Sequence, residues 1–492
     1  MKSFLGLNYL NLINSKNSTN YFYLLSAGLV LFGLFLGLTD RLDLSNSAIH
    51  TGDVPSYLLF PFHSLSEALS SHRTFGFPLL LQGFKLIDND LSSLPLVLYV
   101  IYSLSLMFLY KSIVDISFKP IIALVICTSL LLNASFVSGL QSLTAATLVS
   151  ILMVLILGML FRLKNLNNYM DLAILSVLIF FLYQTRPNLA PLIILAPFWL
   201  FLINYYFRDY SFKSASILGL GSLLTNSFLL IIFLSIRIIS IGEFGMNSFS
   251  GTVLSGQATS YLDEEIILEL EGTPKILAVN ILKRKAQLSA PCNKPKRELT
   301  HLDRHECGNV WIMTSWLATI KHFDKEEPFK DEGLNIEPWK HTELGPFFSR
   351  NNTLIDNSLS DYGRQIIFKE PKLAFSRMIY EYKFAFKSFL EMFTTKIPYL
   401  AAFGFLVISW LFQGRSRKRN NQLSVRKIYK MKEFHLFLVM LFISITYMLQ
   451  GILVSGAMIH LDNRYISSSS IFFLTPILIF SILPYLFRSD IN

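Results

Sequence analysis

Ten apolar runs, each near the length that carries an α-helix through a bilayer, constrain this chain more than any other feature. About 20 apolar residues cross a hydrocarbon core as a helix. Such runs fall near 21–39, 94–110, 120–138, 141–161, 171–185, 189–206, 214–238, 397–413, 434–456 and 469–487. In lipid, backbone amides and carbonyls must be satisfied within the segment, so each run predicts a helix. The first run is bounded by Lys2 and Lys16, and Thr39-Asp40-Arg41 follows it in place of a small-x-small cleavage site. That reads as a retained helix rather than a signal peptide.

Charge is distributed in two regimes. Residues 240–396 hold 20 Lys/Arg and 21 Asp/Glu, about 26% charged, as in an ordinary soluble domain. The other 335 residues hold 23 Lys/Arg and 12 Asp/Glu, about 10%. The whole net charge of +10 therefore belongs to the apolar part. Eight of its basic residues crowd into one loop: Arg415, Arg417, Lys418, Arg419, Arg426, Lys427, Lys430 and Lys432. Beside membrane spans such a loop reads as a cytoplasmic anchor, and nucleic acid is not expected as a partner. The fold class is an all-α polytopic membrane protein of about ten transmembrane helices. A mixed extracytoplasmic segment is inserted before the last three spans. Three regions follow: a transmembrane module at 1–239 with a first outer loop at 40–93, the inserted segment at 240–396, and C-terminal helices at 397–492 with the basic loop 414–432.

Basic residues also set the orientation, because they concentrate on the cytoplasmic side. With the N-terminus inside, the inner loops hold 17 Lys/Arg and the short outer segments hold six: Arg41, Arg73, Lys85, Arg186, Arg237 and Arg464. Loop 40–93, segment 240–396 and loop 457–468 then face outward. The closing Arg488-Ser489-Asp490-Ile491-Asn492 holds no retention signal. The expected location is a bacterial inner (plasma) membrane, crossed many times, with both termini cytoplasmic. Cys292 and Cys307 fall in the outward segment, where oxidation is allowed, and a disulfide is expected. The competing reading joins them with His301 and His305 as a zinc site, although the tight Cys pair of structural zinc sites is missing. Cys127, in the third predicted span, reads as a packed small residue.

Ionisable groups near the outer face are the candidates for chemistry. Asp53 stands in Thr51-Gly52-Asp53-Val54-Pro55-Ser56-Tyr57-Leu58, where glycine and proline suggest a turn that presents the carboxylate. The same position suits a helix N-cap, and the residues alone leave both readings open. Asp40 and Asp43 mark the water boundary of the first span. Asp88-Asn89-Asp90 could bind a metal, but it lies where the second span needs capping, and capping is expected. Arg73 opens the turn Arg73-Thr74-Phe75-Gly76-Phe77-Pro78-Leu79, and Arg186 lies in Gln184-Thr185-Arg186-Pro187-Asn188 between two spans. The last outer loop reads His460-Leu461-Asp462-Asn463-Arg464-Tyr465. One presented carboxylate among several cations suits deprotonation of an acceptor hydroxyl while an anionic group departs.

This pattern resembles the GT-C superfamily of membrane glycosyltransferases, mannosyltransferase- or arabinosyltransferase-like enzymes that use polyprenyl-phosphate sugars. The resemblance rests on Asp53-x-x-x-Tyr57-Leu58, Arg73-x-x-Gly76-x-Pro78-Leu79, Arg186-Pro187, and Arg464-Tyr465 followed by Pro476, in that order. Phe244-Gly245-Met246-Asn247-Ser248-Phe249 also looks like related bacterial members. Many members carry an acidic residue near the start of the fourth span, where this chain has Gln141-Ser142.

The resemblance implies a membrane glycosyltransferase of the cell envelope. Asp53 would be the general base toward an acceptor hydroxyl on a lipid, glycan or protein. Arg73, Arg186, His460 and Arg464 would hold the phosphate of a polyprenyl-phosphate donor lying along the bilayer. Tyr57 and Tyr465 would position substrate. Inversion at the anomeric carbon is expected, with no metal, cofactor or nucleotide site; no Rossmann fingerprint or P-loop occurs in the chain. The rival from another class is a multi-span lipid or polysaccharide transporter or flippase. Against it stand the lack of a repeat between the halves and the clustering of ionisable residues away from mid-span.

Overall fold

The computed structural model describes residues 18–42, 54–71, 73–116, 118–132, 136–137, 139–140, 144–164, 168–208, 210–248, 250–324, 352–395, 404, 432–457, 472 and 474–489. Among the described residues every regular element is a helix and there is no strand. In chain order these are α1 (Ser18–Leu38), α2 (Val54–Leu58), α3 (Leu65–Ser70), α4 (Gly76–Lys85), α5 (Leu94–Val114), α6 (Pro120–Leu131), α7 (Ala145–Arg162) and α8 (Tyr169–Thr185). A 3-10 turn at Pro187–Leu189 leads to α9 (Leu192–Phe207) and α10 (Phe212–Ile241). The inserted segment supplies α11 (Ser250–Tyr261), α12 (Glu264–Leu268), α13 (Gly272–Lys285), α14 (His301–Glu306), α15 (Gly308–Asp324), α16 (Asn352–Lys369) and α17 (Pro371–Thr395). The C-terminal part supplies α18 (Lys432–Ala457) and α19 (Leu474–Ser489).

Six of these helices are long and apolar enough to cross a membrane: α1, α5, α7, α9 with its preceding 3-10 turn, α10 and α18. The chain is a membrane protein on that ground. Shorter apolar helices, α6, α8 and α19, occupy three more of the predicted spans. The predicted span 397–413 lies outside the described residues apart from Gly404.

The apolar helices sort by how much of their circumference is covered. α7 is apolar all round, and 83% of its spanning window is buried, so it forms the centre, packed by α5, α8 and α9. α1 is at the rim against α5 and α6, with only 22% of its window buried. α18 and α19 close the bundle through buried hydroxyl contacts: Ser129 meets Thr475 at 2.6 Å, and Trp199 Nε1 donates to Thr446 at 3.1 Å. α10 has 30 residues. At ~1.5 Å rise per residue it is about 45 Å long, well beyond the ~30 Å of hydrocarbon. One or both of its ends must project past the apolar layer.

Among the described residues every regular element of the inserted segment is a helix, which corrects the expectation of a mixed segment. Its centre is α11, Ser-Gly-Thr-Val-Leu-Ser-Gly-Gln-Ala-Thr-Ser-Tyr, buried over most of its surface despite its polarity. The hydroxyls are absorbed locally: Ser255, Thr259 and Ser260 donate to carbonyls three or four residues back, and Thr259 also meets Ser315 and Tyr362. Gly251 carries the closest approach, since a Cβ there would fall 1.9 Å from the Asp356 carbonyl oxygen of α16. Cys292 and Cys307 form a disulfide, which consumes both thiols required by the zinc reading.

The C-terminal end of α11 is met by buried cations. Lys285 Nζ donates to Thr259 O at 3.0 Å, and Arg304 Nη1 donates to Ser260 O at 2.7 Å. Arg377 Nη1 reaches Ser260 Oγ at 3.0 Å, and its Nε lies 3.6 Å from Glu381. Positive charge belongs there, because the last carbonyls of a helix are unsatisfied and carry the negative end of its dipole.

From Arg364 to Met392 the sequence looks helical, with Ile366, Ile367, Leu373, Met378, Ile379 and Phe386 as candidate buried positions. The structure breaks this stretch at Pro371, whose missing N–H and fixed φ make it a starter of α17 rather than an interior residue. Ile366 is buried as expected, but among the described side chains of α17 the buried ones are the ion pair Arg377 and Glu381, while Ile379 and Phe386 are exposed.

Burial pushes the Lys285 ammonium down to about 8 from its ordinary 10.5. Between these values the unfolded chain binds the extra proton, so the segment gains stability as pH rises from about 8 to 10.5. The gain should be on the order of 3 kcal/mol. Hydrogen exchange of α11 and α13 in the full chain, wild type against Lys285→Met, should show this rise in wild type alone. Parallel pH profiles would exclude it.

Candidate active site

The first outer loop folds back on itself through Arg73. Its Nε donates to Ser56 Oγ at 2.9 Å, and its guanidinium stands 4.8 Å above the Tyr57 ring. Tyr57, on α2, is buried and packs edge-on against Phe77 of α4 at 5.0 Å. Gln82 of α4 donates to Leu58 O at 2.8 Å. Arg73 and Tyr57, both candidates from sequence, are thus direct neighbours, with a cation over an aromatic face as the joining contact.

α4 then carries this loop onto the end of α8. A Cβ on Gly76 would lie 2.7 Å from the Gln184 carbonyl and 2.8 Å from the Thr185 nitrogen, so only glycine permits the contact. Phe75 adds ring contacts with Phe180 and Phe181 at 5.8 and 6.2 Å. Arg186 is the next residue along, in extended backbone between α8 and the 3-10 turn, its N–H bonded to Leu182 O. The two arginine motifs, more than a hundred residues apart in sequence, meet at one junction. Pro187 ends α8 because it offers no N–H to continue the ladder. α18 approaches the same turn: Gln450 Nε2 donates to Asn188 O, and Tyr447 lies within electrostatic reach of Arg186.

Of the other candidates, Asp53, His460, Arg464 and Tyr465 lie outside the described residues, as do Asp43, Gln141 and Ser142. Asp88 is engaged structurally. It accepts from Ser93 N at 2.8 Å, Ser93 Oγ at 2.6 Å and Ser92 Oγ at 3.3 Å. Those bonds, the Ser93 hydroxyl first, hold its carboxyl below the usual range. These bonds tie Asp88 to the turn that enters α5, although α5 itself, with Ser93 as its N-cap, has no side-chain cap bond. Among the described residues no group of three or more His, Cys, Asp or Glu is placed to hold a metal ion.

One element of the site was not singled out from sequence. Arg237, near the end of α10 and 1% exposed, pairs with Glu243 at 2.6 Å. It also donates to Ser248 Oγ at 3.2 Å and to the Leu69 carbonyl on α3. Ser248 donates its N–H to Ser71 O at 3.3 Å, two residues before Arg73. Arg237 had been counted only as an outer basic residue. An arginine closing an apolar run, with a glutamate six residues on, was the available signal.

Removing one member of a buried ion pair strands the other. Arg237→Ala should destabilise the full chain by about 3–5 kcal/mol, read from its thermal unfolding in detergent. The double variant Arg237→Met/Glu243→Leu should lose clearly less than the two single variants together, as coupled neighbours do. Strict additivity would show that the pair does not act as a unit.

Compared with known proteins, the chain matches no protein-family model, no curated protein and no solved structure.

Proposed function

We propose that the chain is an integral membrane glycosyltransferase. It would transfer a sugar from a polyprenyl-phosphate donor to an acceptor hydroxyl on the extracytoplasmic face. The observation that carries this reading is the junction at Gly76, where the loop bearing Arg73 and Tyr57 rests on the turn bearing Arg186. Cations from two distant segments then serve one anion, and the aromatic ring beside them offers a surface for a sugar. Asp53 immediately precedes α2 in the sequence and is the proposed base. It would take the acceptor proton as that oxygen attacks the anomeric carbon and polyprenyl phosphate leaves, with inversion. Arg186 with Arg73, joined by His460 and Arg464, would neutralise the departing phosphate, and Tyr465 would help to position substrate. Guanidinium suits the task because its planar fork pairs with two phosphate oxygens at once.

Purified full-length protein incubated with a panel of labelled polyprenyl-phosphate sugars should transfer at least one of them. Asp53→Asn should lower turnover by about 10²–10⁴-fold, the usual contribution of a positioned base. An N-cap exchanged for Asn would lose only a few tenths of a kcal/mol. Asp88→Asn should leave turnover intact. Arg186→Ala should weaken donor use strongly and Arg186→Lys partly restore it. An active Asp53→Asn protein would remove the catalytic assignment.

The proposed site faces outward, with both termini in the cytoplasm, on the basis of the 17-to-6 division of basic residues. Membrane-impermeant thiol labelling of intact cells should reach a cysteine introduced at Asn351 and miss one at Asn420. The reverse pattern would put the site in the wrong compartment.

A further inference from the structure

Among the described residues, five buried polar atoms around the Arg186 turn have no hydrogen-bond partner: both amide atoms of Gln184, the hydroxyls of Tyr183 and Tyr447, and Oε1 of Gln450. Their residues are sealed from solvent; Gln184 and Tyr447 are 0% exposed, Tyr183 1% and Gln450 4%. Tyr447 and Gln450 are three residues apart on α18 and therefore share a face. Gln450 is fixed by its Nε2 bond to Asn188 O, and Tyr447 stands within electrostatic reach of Arg186. Gln184 is two residues before Arg186, on the backbone that Gly76 touches.

A buried donor or acceptor left unmet costs about 1–3 kcal/mol, and protein interiors hold few of them. Other helices carry such atoms too, Ser222 and Asn226 of α10 among them, but these lie beside an arginine at a turn between two helices. Their chemistry limits what would complete them. A phosphate could accept from the tyrosine hydroxyls and from the Gln184 amide nitrogen. It has no hydrogen to give to Oε1 of Gln184 or Gln450, so a bare anion leaves both acceptors unmet. A group that completes them must both donate and accept, as a water molecule or a hydroxyl does, and a hydroxyl carried by a phosphate ester would also lie close to the anion that an arginine would hold. A ring of hydroxyls attached to a phosphate has that composition.

We propose that Gln184, Tyr447 and Gln450 form a hydroxyl-reading subsite that binds the sugar of a sugar-phosphate whose anionic group is held at Arg186. This rests on the glycosyltransferase reading and adds the residues that choose the sugar. The three side chains are positioned to discriminate, because a site that hydrogen-bonds a hydroxyl rejects an analogue lacking it far more strongly than an apolar pocket rejects an added methylene.

Two variants remove the polar atoms with little change of shape: Tyr447→Phe and Gln184→Met. Binding to the full-length detergent-solubilised protein would be measured for three probes. These are polyprenyl phosphate without sugar, polyprenyl-phosphate sugars carrying mannose, arabinose or glucose, and the matching soluble sugar 1-phosphates. In wild type at least one sugar-bearing lipid should bind about tenfold or more better than bare polyprenyl phosphate. Each variant should lose about fivefold to tenfold of that advantage, the worth of one neutral hydrogen bond, while bare polyprenyl phosphate binds as before. The ligand-free variants should unfold at the same temperature as wild type or higher, since an unmet polar group has been replaced by an apolar one. A structural role for these atoms predicts the opposite pair of results, lower stability with the sugar preference intact. Binding of the soluble sugar 1-phosphates as tight as that of the lipids would keep the subsite and make its natural ligand soluble. An unchanged sugar preference in both variants would overturn the inference and leave the glycosyltransferase reading standing. If no polyprenyl phosphate of any kind binds wild type, that reading fails and this one with it.

Discussion

A guanidinium cannot be taken out of water cheaply, and Arg237 is almost wholly removed from it. Its charge is met by Glu243, and other N–H groups reach Ser248 and the Leu69 carbonyl. Those partners come from two places, the head of the inserted segment and α3 in the first outer loop, while the arginine itself is on α10. Meeting the charge of one buried cation therefore fixes the relation between an apolar helix, a polar insertion and the loop that leads to Arg73. Ser248 adds a backbone bond to Ser71, so the loop is held by two contacts rather than one. The arrangement of the candidate site depends on this node more than on any single apolar contact.

The same device recurs at other helix ends. Arg208 donates to the Phe161 and Leu163 carbonyls at the end of α7, and Lys285 with Arg304 serves the end of α11. Each case joins a cation to carbonyls that the helix cannot satisfy internally. In an apolar or dry surrounding that pairing is worth more than in water, because the alternative is an unmet group on both sides. The helices are thus pinned to one another at their polar ends, while their flanks pack through leucine, isoleucine and phenylalanine. Around the Arg186 turn the polar groups are mostly neutral, and among the described residues buried atoms of Tyr183, Gln184, Tyr447 and Gln450 have no hydrogen-bond partner.

The helices themselves were legible because their apolar runs are long and their charges few. α1, α5, α7, α9, α10 and α18 occupy predicted spans within a few residues. The inserted segment was harder. Its central helix buries serine, threonine and glutamine, so no apolar periodicity marks it. On α17 the buried stripe is an ion pair and the exposed one is apolar, the reverse of what a soluble amphipathic pattern implies. Pro371, by contrast, is a plain break signal in the sequence, and a helix ends just before it. Asp88 has a structural role because Ser92 and Ser93 follow it at hydrogen-bonding distance, although it does not cap α5 directly.

The sequence by itself determined that this is a helical membrane chain with a charge-dense insertion, since hydrocarbon admits few alternatives to a helix and the charges cannot sit in it. It also named arginines and a carboxylate as the groups able to do chemistry. Tertiary structure decided which of them are neighbours. Arg73 lies over Tyr57, and Gly76 rests on the backbone before Arg186, because a missing side chain let two strands of loop and helix approach within van der Waals distance. Tertiary structure also revealed uncharged groups that are unmet among the described residues, among them Gln184, Tyr447 and the carbonyl oxygen of the Gln450 amide. A glutamine or tyrosine in an apolar run reads the same whether or not a partner waits for it. Only the packing around it fixes how many hydrogen bonds it can make.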